Sequence, residues 1–431
     1  MTVSTEDRYC ILGAGTSGLA VAKNFLQRGI PFDCLERENQ IGGNWCYGKP
    51  YSSVYDSTHL ISSKPLTEYT DFPMPEDYPE FPSHRQVFDY LQSYAEHFVL
   101  YRHIQFETAV AQLEPANPGW IVRLANGQQR PYRGVVIANG HNWNPRFPNY
   151  PGEFAGTVLH SAEYKTPDVL RGKRVLVVGA GNSGCDLAVE AAIHAGKAFH
   201  SMRRGYPILP KMFKGKPIDQ CGEMLLRLRM PLFVRRLFAA LVVRWVLGPR
   251  EMVGLPPQDH RLFESHPIIN SRLHDQLAHG NLTVKPDIQE LAGNRVHFID
   301  GSAEEVDVIL YATGFKISFP FIDRKELNWH NGRPEMYLNI FHPERDDLFC
   351  VGLIQPDSGQ WGLVDYQAQL VANYLLGLEK QTPAAQRFQK QKIQGGQWQQ
   401  GNRWLGSPRH LLEVEHFSYR QRLQKMVARL A

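Results

Sequence analysis

The hydrophobic pattern opens with a short apolar run, Tyr9-Cys10-Ile11-Leu12, which breaks at Gly13-Ala14-Gly15-Thr16-Ser17-Gly18. Apolar positions then recur at helical spacing, Leu19, Ala22, Phe25 and Leu26, until Gly29 and Pro31. A second apolar run, Phe32 to Leu35, ends at Glu36. Strand, glycine turn, helix, strand, acid is the context that gives G-x-G-x-x-G its meaning. Gly13 permits the tight turn, Gly15 lets the backbone approach a pyrophosphate, and Gly18 lets the helix pack on the strand. The helix N-terminus offers N–H groups and a positive dipole end to phosphates. Glu36, 18 residues after Gly18, is placed to accept hydrogen bonds from a ribose. The stretch predicts dinucleotide binding.

The pattern recurs 166 residues later. Lys173 to Val178 reads as a strand, and Gly179-Ala180-Gly181-Asn182-Ser183-Gly184 is a second fingerprint. A helix over about 183–195, closed at Gly196, leads to a strand from Ala198 to Met202. Where the first copy has Glu36, this one has Arg203 and Arg204. An acid repels a 2′-phosphate, whereas arginine binds it through paired charge-assisted hydrogen bonds. The first copy therefore reads as an FAD site and the second as an NADPH site. Two copies this far apart predict an α/β fold of two Rossmann-like domains, one inserted in the other. The expected boundaries are 1–165 for the first part of the FAD domain, 166–302 for the inserted NADPH domain, and 303–431 for the second part with C-terminal helices.

Other segments fill in around these copies. Residues 37–83 form a long irregular stretch rich in aromatics (Trp45, Tyr47, Tyr51, Tyr55, Tyr69, Phe72). It reads as a packed surface loop or as one lying along a large flat ligand. Ser83 is expected to cap a helix over 84–98, followed by an antiparallel meander through Asn126-Gly127. Val135 to Ala138 reads as a buried strand ending at Asn139-Gly140. The segment 141–165 is polar and reads as a linker. Val306 to Phe315 and Leu348 to Gly352 are expected to complete the first domain's sheet. The Gln-rich stretch 386–401 reads as a loose connector, and 408–430 as a terminal helix. Pro231 to Leu247 is apolar yet carries Arg235, Arg236 and Arg244. It fits a core-packing helix, or a lid or membrane-surface helix.

Composition narrows the class. The 431 residues exceed one core, and 43% hydrophobic with 21% charged residues is a globular balance. A net charge of +4 does not suggest a nucleic-acid partner. The six cysteines are scattered without a C-x-x-C pair, which argues against a disulfide framework, a zinc knuckle and a dithiol reductase centre. No metal-ligand cluster, paired carboxylates or nucleophile elbow is visible, so no metal is expected. The first strand begins within nine residues, too early for a signal peptide, and no run of about 18 uncharged apolar residues predicts a membrane span. A cytoplasmic location is expected.

Between the fingerprints lies F-x-G-x-x-x-H-x-x-x-Y, formed by Phe154, Gly156, His160 and Tyr164. With the two fingerprints, Glu36, Gly42-Gly43-Asn44-Trp45, Ser62-Ser63-Lys64, Asp71-Phe72-Pro73, Ser201-Met202-Arg203-Arg204-Gly205 and Ala312-Thr313-Gly314-Phe315, it resembles the flavin-containing monooxygenases over nearly the whole chain. The related Baeyer–Villiger enzymes usually carry Trp where Tyr164 stands. The resemblance implies that NADPH reduces the flavin, that O2 adds to form a flavin hydroperoxide, and that a soft nucleophile, an amine or sulfide, takes the distal oxygen. It implies cofactor contacts at Gly13, Gly15, Ser17, Gly18, Glu36, Arg37, Gly43, Asn44, Trp45, His59, Ser62, Val110 and Gly140. It implies others at Gly179, Gly181, Asn182, Ser183, Gly184, Arg203, Arg204, Ala312, Thr313, Gly314 and Gln360. His160 is expected to fix the linker rather than move a proton.

One position departs from the family. An Asn usually stands three residues before the lysine that is Lys64 here, and this chain has Ile61. Isoleucine cannot hydrogen-bond, so no catalytic residue is assigned. Baeyer–Villiger oxygenation of a ketone and an uncoupled NADPH oxidase are the alternatives. A nucleotide-binding protein without turnover is disfavoured, because all six fingerprint glycines are intact. The expected partners are a small-molecule substrate, O2, a second copy in a homodimer, and a membrane surface through 231–247.

Overall fold

The computed structural model describes residues 4–394, 404 and 410–431. They form two compact units. The first comprises 1–52, 62–141 and 317–431, and the second 53–61 and 142–316.

The first unit is built on a five-stranded parallel sheet. Its order is Leu348–Cys350, Gly134–Ile137, Tyr9–Leu12, Phe32–Leu35, Ile104–Gln105. Tyr9–Leu12, Phe32–Leu35 and Gly134–Ile137 are buried at every residue. Continuous apolar runs are what a parallel strand covered on both faces requires. The fingerprint helix Thr16–Gln27 packs with the long helix Trp361–Glu379. The expected meander is present as Val110–Pro115, Trp120–Leu124 and Gln129–Tyr132, and it shares a core with Leu12, Val135 and Leu348. The helix after Ser83 runs His84–His97. Its start is a capping box, with Gln86 N–H donating to Ser83 Oγ (3.4 Å) and Ser83 N–H to Gln86 Oε1 (3.0 Å).

The second unit repeats the plan. Its parallel sheet runs Thr283–Lys285, Lys197–Ser201, Arg174–Val178, Val308–Tyr311, Thr157–His160. The helix Asn182–His194 follows the central strand. A smaller sheet holds Ala303–Glu305, Arg295–Phe298, Ile288–Gly293 and Gly152–Phe154.

Three expectations are corrected here. Val308–Tyr311 belongs to the second sheet, where it pairs with Arg174–Val178, and not to the first. A four-residue apolar run carries no label saying which parallel sheet will bury it. The segment 141–165 is not merely a linker. Gly152–Phe154 and Thr157–His160 are strands of the second unit, the latter an edge that is exposed at Thr157 and Val158 and buried at His160. The Gln-rich stretch is helical over its first part, as Pro383–Gln394, because Ala385, Phe388 and Lys392 form a buried stripe. The rest of that stretch lies outside the described residues. The terminal helix runs His416–Leu430.

Candidate cofactor sites

The two fingerprints share the same local geometry. Gly13 N–H donates to Leu35 O (2.8 Å), and Gly179 N–H to Ser201 O (3.1 Å). Both first glycines have left-handed backbones, with φ of +99° and +115°. A Cβ on Gly18 would fall 1.7 Å from Gly13 O, and one on Gly184 would fall 1.9 Å from Gly179 O. Only glycine lets these helices close on their turns. Ala138 and Ala312 play matching parts, their carbonyls lying beside Gly13 and Gly179.

This register moves one comparison by a residue. Leu35 matches Ser201, so the counterpart of Glu36 is the buried, apolar Met202, and Arg203 corresponds to Arg37. The second site therefore lacks the ribose acid, and its arginines come one step later.

In the first unit, Glu36 is 5% exposed. Its Oε2 accepts from Ala14 N–H at 2.6 Å and its Oε1 from Glu38 N–H at 2.9 Å. Burial pushes the carboxyl above its ordinary value, and these two hydrogen bonds oppose the shift. Arg37 lies 3.2 Å over the Tyr51 ring. Gly42 N–H donates to Ala14 O (3.0 Å), which brings Gly43, Asn44 and Trp45 to the glycine turn. Gly15 and Gly43 meet backbone to backbone, and a Cβ on Gly43 would lie 3.0 Å from Gly15 Cα. Thr108 N–H donates to Glu36 O (2.8 Å), so the chain entering Val110 runs beside the acid. Gly140 follows Ala138, and a Cβ there would meet nothing within 4 Å.

Among the loop aromatics of the first unit, Tyr69 and Trp45 pack against protein rings, while Tyr47 and Tyr51 are exposed. Tyr69 stacks on Tyr94 at 4.1 Å and lies 5.9 Å from Trp361, which Trp45 meets edge-on at 5.9 Å. Ser62 Oγ is 2.8 Å from Thr67 Oγ1. Lys64 Nζ donates to the carbonyls of Pro75, Glu76 and Tyr78, pinning the loop. Gln360 Nε2 donates to Gly352 O (3.3 Å) and Ile354 O (3.0 Å).

In the second unit, Asn182 locks the fingerprint helix to a neighbouring loop. Its Nδ2 donates to Pro267 O (3.0 Å), and its Oδ1 accepts from Ile269 N–H (2.8 Å). Gly181 caps that helix, and Ser183 is exposed on its first turn. Arg204 Nε pairs with Asp259 Oδ2 at 3.0 Å, while Arg203 is exposed at the strand end. Ala312 N–H donates to Val178 O (2.8 Å), and Thr313 Oγ1 donates to Arg146 O. Ala312, Thr313 and Gly314 thus stand beside the second fingerprint, not the first. His59 belongs to this unit as well. It is exposed, with Nδ1 2.8 Å from Ser57 O, and the first fingerprint's unit does not include it.

The F-x-G-x-x-x-H-x-x-x-Y motif is a structural clamp. His160 Nε2 lies 3.1 Å from Gly314 O, and its Nδ1 accepts from Ala162 N–H (3.2 Å). This fixes the Nε2–H tautomer, and burial pushes the ring's pKa down. Tyr164 O–H donates to Glu190 Oε2 (2.9 Å). A Cβ on Gly156 would lie 2.5 Å from Asp307 O.

Sequence reading missed two arrangements. Asn270 Nδ2 donates to Asp186 Oδ1 (2.8 Å), one turn below the fingerprint, where burial raises the Asp186 pKa to about 6. Gly352 N–H donates to buried Gln367 (2.9 Å), and a Cβ on Gly352 would strike Ser17 Oγ at 2.0 Å. Neither pair has a spacing that a sequence pattern reports.

The residues present fit two dinucleotides. Each fingerprint helix starts at a glycine cap with no side chain bonded to its first turn, so the first-turn N–H groups are available to an anion. Among the described residues there is no group of three or more His, Cys, Asp or Glu able to hold a metal ion.

Comparison with known proteins agrees. The family model described as flavin-binding monooxygenase-like matches residues 6–429. Flavin-containing monooxygenase 5 of Rattus norvegicus is 33% identical over 449 residues, covering 98% of this chain and 83% of that protein. Flavin-containing monooxygenase 1 of Oryctolagus cuniculus is 34% identical over 408 residues, covering 88% and 75%. Among solved structures, S-allyl-L-cysteine S-oxygenase of Allium sativum has a TM-score of 0.68 at 21% identity, covering 98% and 88%. Cyclohexanone monooxygenase of Rhodococcus sp. Phi1, bound to NADP+, has 0.70 at 18% identity, covering 99% and 98%. At these identities the structures speak for the fold alone.

Proposed function

The chain belongs to the flavin-binding monooxygenase-like family and is an NADPH- and FAD-dependent monooxygenase; we propose that it transfers one oxygen atom of O2 to a soft nucleophile, an amine nitrogen or a sulfide sulfur. Bound FAD supplies the oxygen-activating chemistry, and NADPH the electrons. The observation that carries the assignment of sites is the asymmetry between the two strand ends. Buried Glu36 ends one, and Met202 followed by exposed Arg203 ends the other. We assign FAD to the first unit and NADPH to the second on that ground. Glu36 orients the glycine turn and accepts from a ribose, Arg203 meets the 2′-phosphate, and the two glycine-capped helices take the pyrophosphates. The relatives named for N-oxide formation from dimethylaniline support nitrogen as one target atom.

A second reading, an uncoupled NADPH oxidase, is favoured by one residue. Ile61 is half-buried and offers no hydrogen bond, and neighbouring Ser62 is engaged with Thr67. We also propose a reducing, cytoplasmic setting, supported by six buried cysteines of which none is joined in a disulfide. No helix of the described residues is long and apolar enough to cross a membrane.

The test is a substrate panel. Purified enzyme with NADPH and air is offered a thioether, a tertiary amine and a cyclic ketone, and products are identified by mass. Sulfoxide or N-oxide is expected. Lactone as the main product would replace this reading with Baeyer–Villiger chemistry.

A further inference from the structure

A cavity of about 280 Å³ lies in the first unit, at the end of the parallel sheet opposite its glycine turn. Tyr9, Arg133 and Asp347 line it, and each stands at the entry to one of three adjacent strands, Tyr9–Leu12, Gly134–Ile137 and Leu348–Cys350. Leu375 and Leu378 of the helix Trp361–Glu379 give it an apolar wall. Dinucleotides bind outside the carboxyl ends of such strands. This cavity sits at their amino ends and belongs to neither cofactor site. Its volume lies just below the range of drug-sized sites, so its occupant is small.

Tyr9 is 5% exposed, yet its hydroxyl has no hydrogen-bond partner among the described residues. A buried donor left in this state calls for an acceptor. The ring is held in place. Phe25 meets it edge-on at 5.8 Å, and Gly134 makes room for it, since a Cβ there would lie 2.7 Å from Tyr9 Cε1. Burial first, and then the acids Glu379, Asp347 and Asp346, push the Tyr9 pKa up to about 12 against the pull of Arg133. The hydroxyl therefore keeps its proton and can donate it.

Charge selects the ligand. Arg345 Nε and Nη2 each meet Asp347 at 2.8 Å, while Asp346 Oδ1 accepts from the Tyr374 hydroxyl (2.5 Å) and pairs with Lys392 Nζ (3.0 Å). These charges are met within the protein. Arg133 is exposed, 5.8 Å from the centre of the Tyr9 ring, and has no ion-pair partner among the described residues. What remains for a ligand is a hydroxyl and a guanidinium, both donors, beside an apolar wall. A carboxylate accepts from both. A phosphate or a dicarboxylate would bring a second negative charge towards Asp346, Asp347 and Glu379, which repel it.

We propose that this cavity binds a small monocarboxylate with an apolar body, its oxygens on Tyr9 and Arg133 and its chain on Leu375 and Leu378. The assignment is independent of the oxygenation chemistry. It is tested by titration calorimetry of the full chain, as purified with its cofactor, with isovalerate and with isovaleramide as the uncharged match. Isovalerate should bind saturably, and the amide about tenfold or more weakly. Tyr9→Phe removes only the unpartnered hydroxyl. It should weaken isovalerate binding about tenfold and leave the melting temperature of the ligand-free protein unchanged. Arg133→Gln should weaken binding to a similar degree, and it carries the test if Tyr9→Phe does not fold. Absence of saturable binding, an amide that binds as tightly as the carboxylate, or an affinity that neither variant changes would overturn the proposal. A colourless protein that still binds isovalerate through Tyr9 and Arg133 would overturn the flavin assignment and leave this one standing.

Discussion

The backbone N–H of Ala14 donates to Glu36 Oε2 at 2.6 Å. The acid that ends the second strand therefore holds the glycine turn in shape as well as offering oxygens to a ribose. Replacing it removes a buried, charge-assisted acceptor and leaves the N–H of Ala14 without its partner, a loss of about 1.5–3 kcal/mol. Glu36→Ala should weaken FAD binding about tenfold or more, and Glu36→Gln, which keeps one acceptor oxygen, less. Flavin released on dialysis measures both. Equal retention in Glu36→Ala and the parent would remove Glu36 from the site.

Arg203 and Arg204 are neighbours in the chain with different commitments. Arg204 is paired with Asp259, whose Oδ1 also meets His260 Nδ1 at 2.5 Å. Arg203 has no ion-pair partner among the described residues and is exposed. Arg203→Ala should raise the KM for NADPH about tenfold and leave the KM for NADH nearly unchanged. Arg204→Ala should act less selectively, through the loop that Asp259 anchors. Steady-state kinetics with both nucleotides decide, and equal effects of Arg203→Ala on the two would exclude it from 2′-phosphate recognition.

Much of this was legible because local physics wrote it into short stretches. Gly13 to Glu36 and Gly179 to Arg203 each carry a complete strand-turn-helix-strand signal, and Ser83 with Gln86 announces a helix start. The assignment of Val308–Tyr311 to a sheet was not legible, since Val-Ile-Leu-Tyr suits either parallel sheet equally. The exchange of Met202 for Glu36 was hidden for a finer reason. Register depends on which carbonyl Gly179 N–H reaches, and counting glycines does not show that. Pairs such as Asp186 with Asn270, or Lys23 with Asp365, are distant in the chain and leave no pattern.

His200 is the second unit's counterpart of Cys34. Its Nε2 lies 2.9 Å from Gly179 O, as Cys34 Sγ donates to Gly13 O at 3.6 Å. The ring is fully buried, its Nδ1 has no hydrogen-bond partner among the described residues, and burial lowers its pKa to about 4. Between about pH 6.5 and 4 the unfolded chain binds a proton that the native ring refuses, so stability falls as pH falls through that window. The contribution is up to about 3 kcal/mol, present in full above the ordinary histidine value and lost below 4. His200→Gln, which can still donate to Gly179 O, should flatten part of the decline in melting temperature across this range. An unaltered pH profile would refute the role.

Lys23 is 1% exposed and lies 2.8 Å from both Asp365 Oδ1 and Asp71 Oδ2, with Asp365 fully buried. The pair ties the first fingerprint helix to the helix Trp361–Glu379. Asp365→Ala leaves a buried ammonium with one half-exposed partner and should destabilise by about 3–5 kcal/mol. The double replacement Lys23→Met/Asp365→Leu should recover most of the loss. Calorimetry checks both, and a single variant as stable as the parent would show that the ion pair contributes nothing.

Coupling of oxygen transfer to NADPH, in a chain that carries Ile61, is the property that separates a monooxygenase from an oxidase here. It is tested most directly by turnover of a thioether under heavy-isotope oxygen gas, with NADPH, sulfoxide and hydrogen peroxide counted together. One labelled oxygen is expected in each sulfoxide, with product in step with NADPH consumed and with Ile61→Asn tightening the coupling further. NADPH converted wholly to hydrogen peroxide, with no labelled sulfoxide, would contradict it.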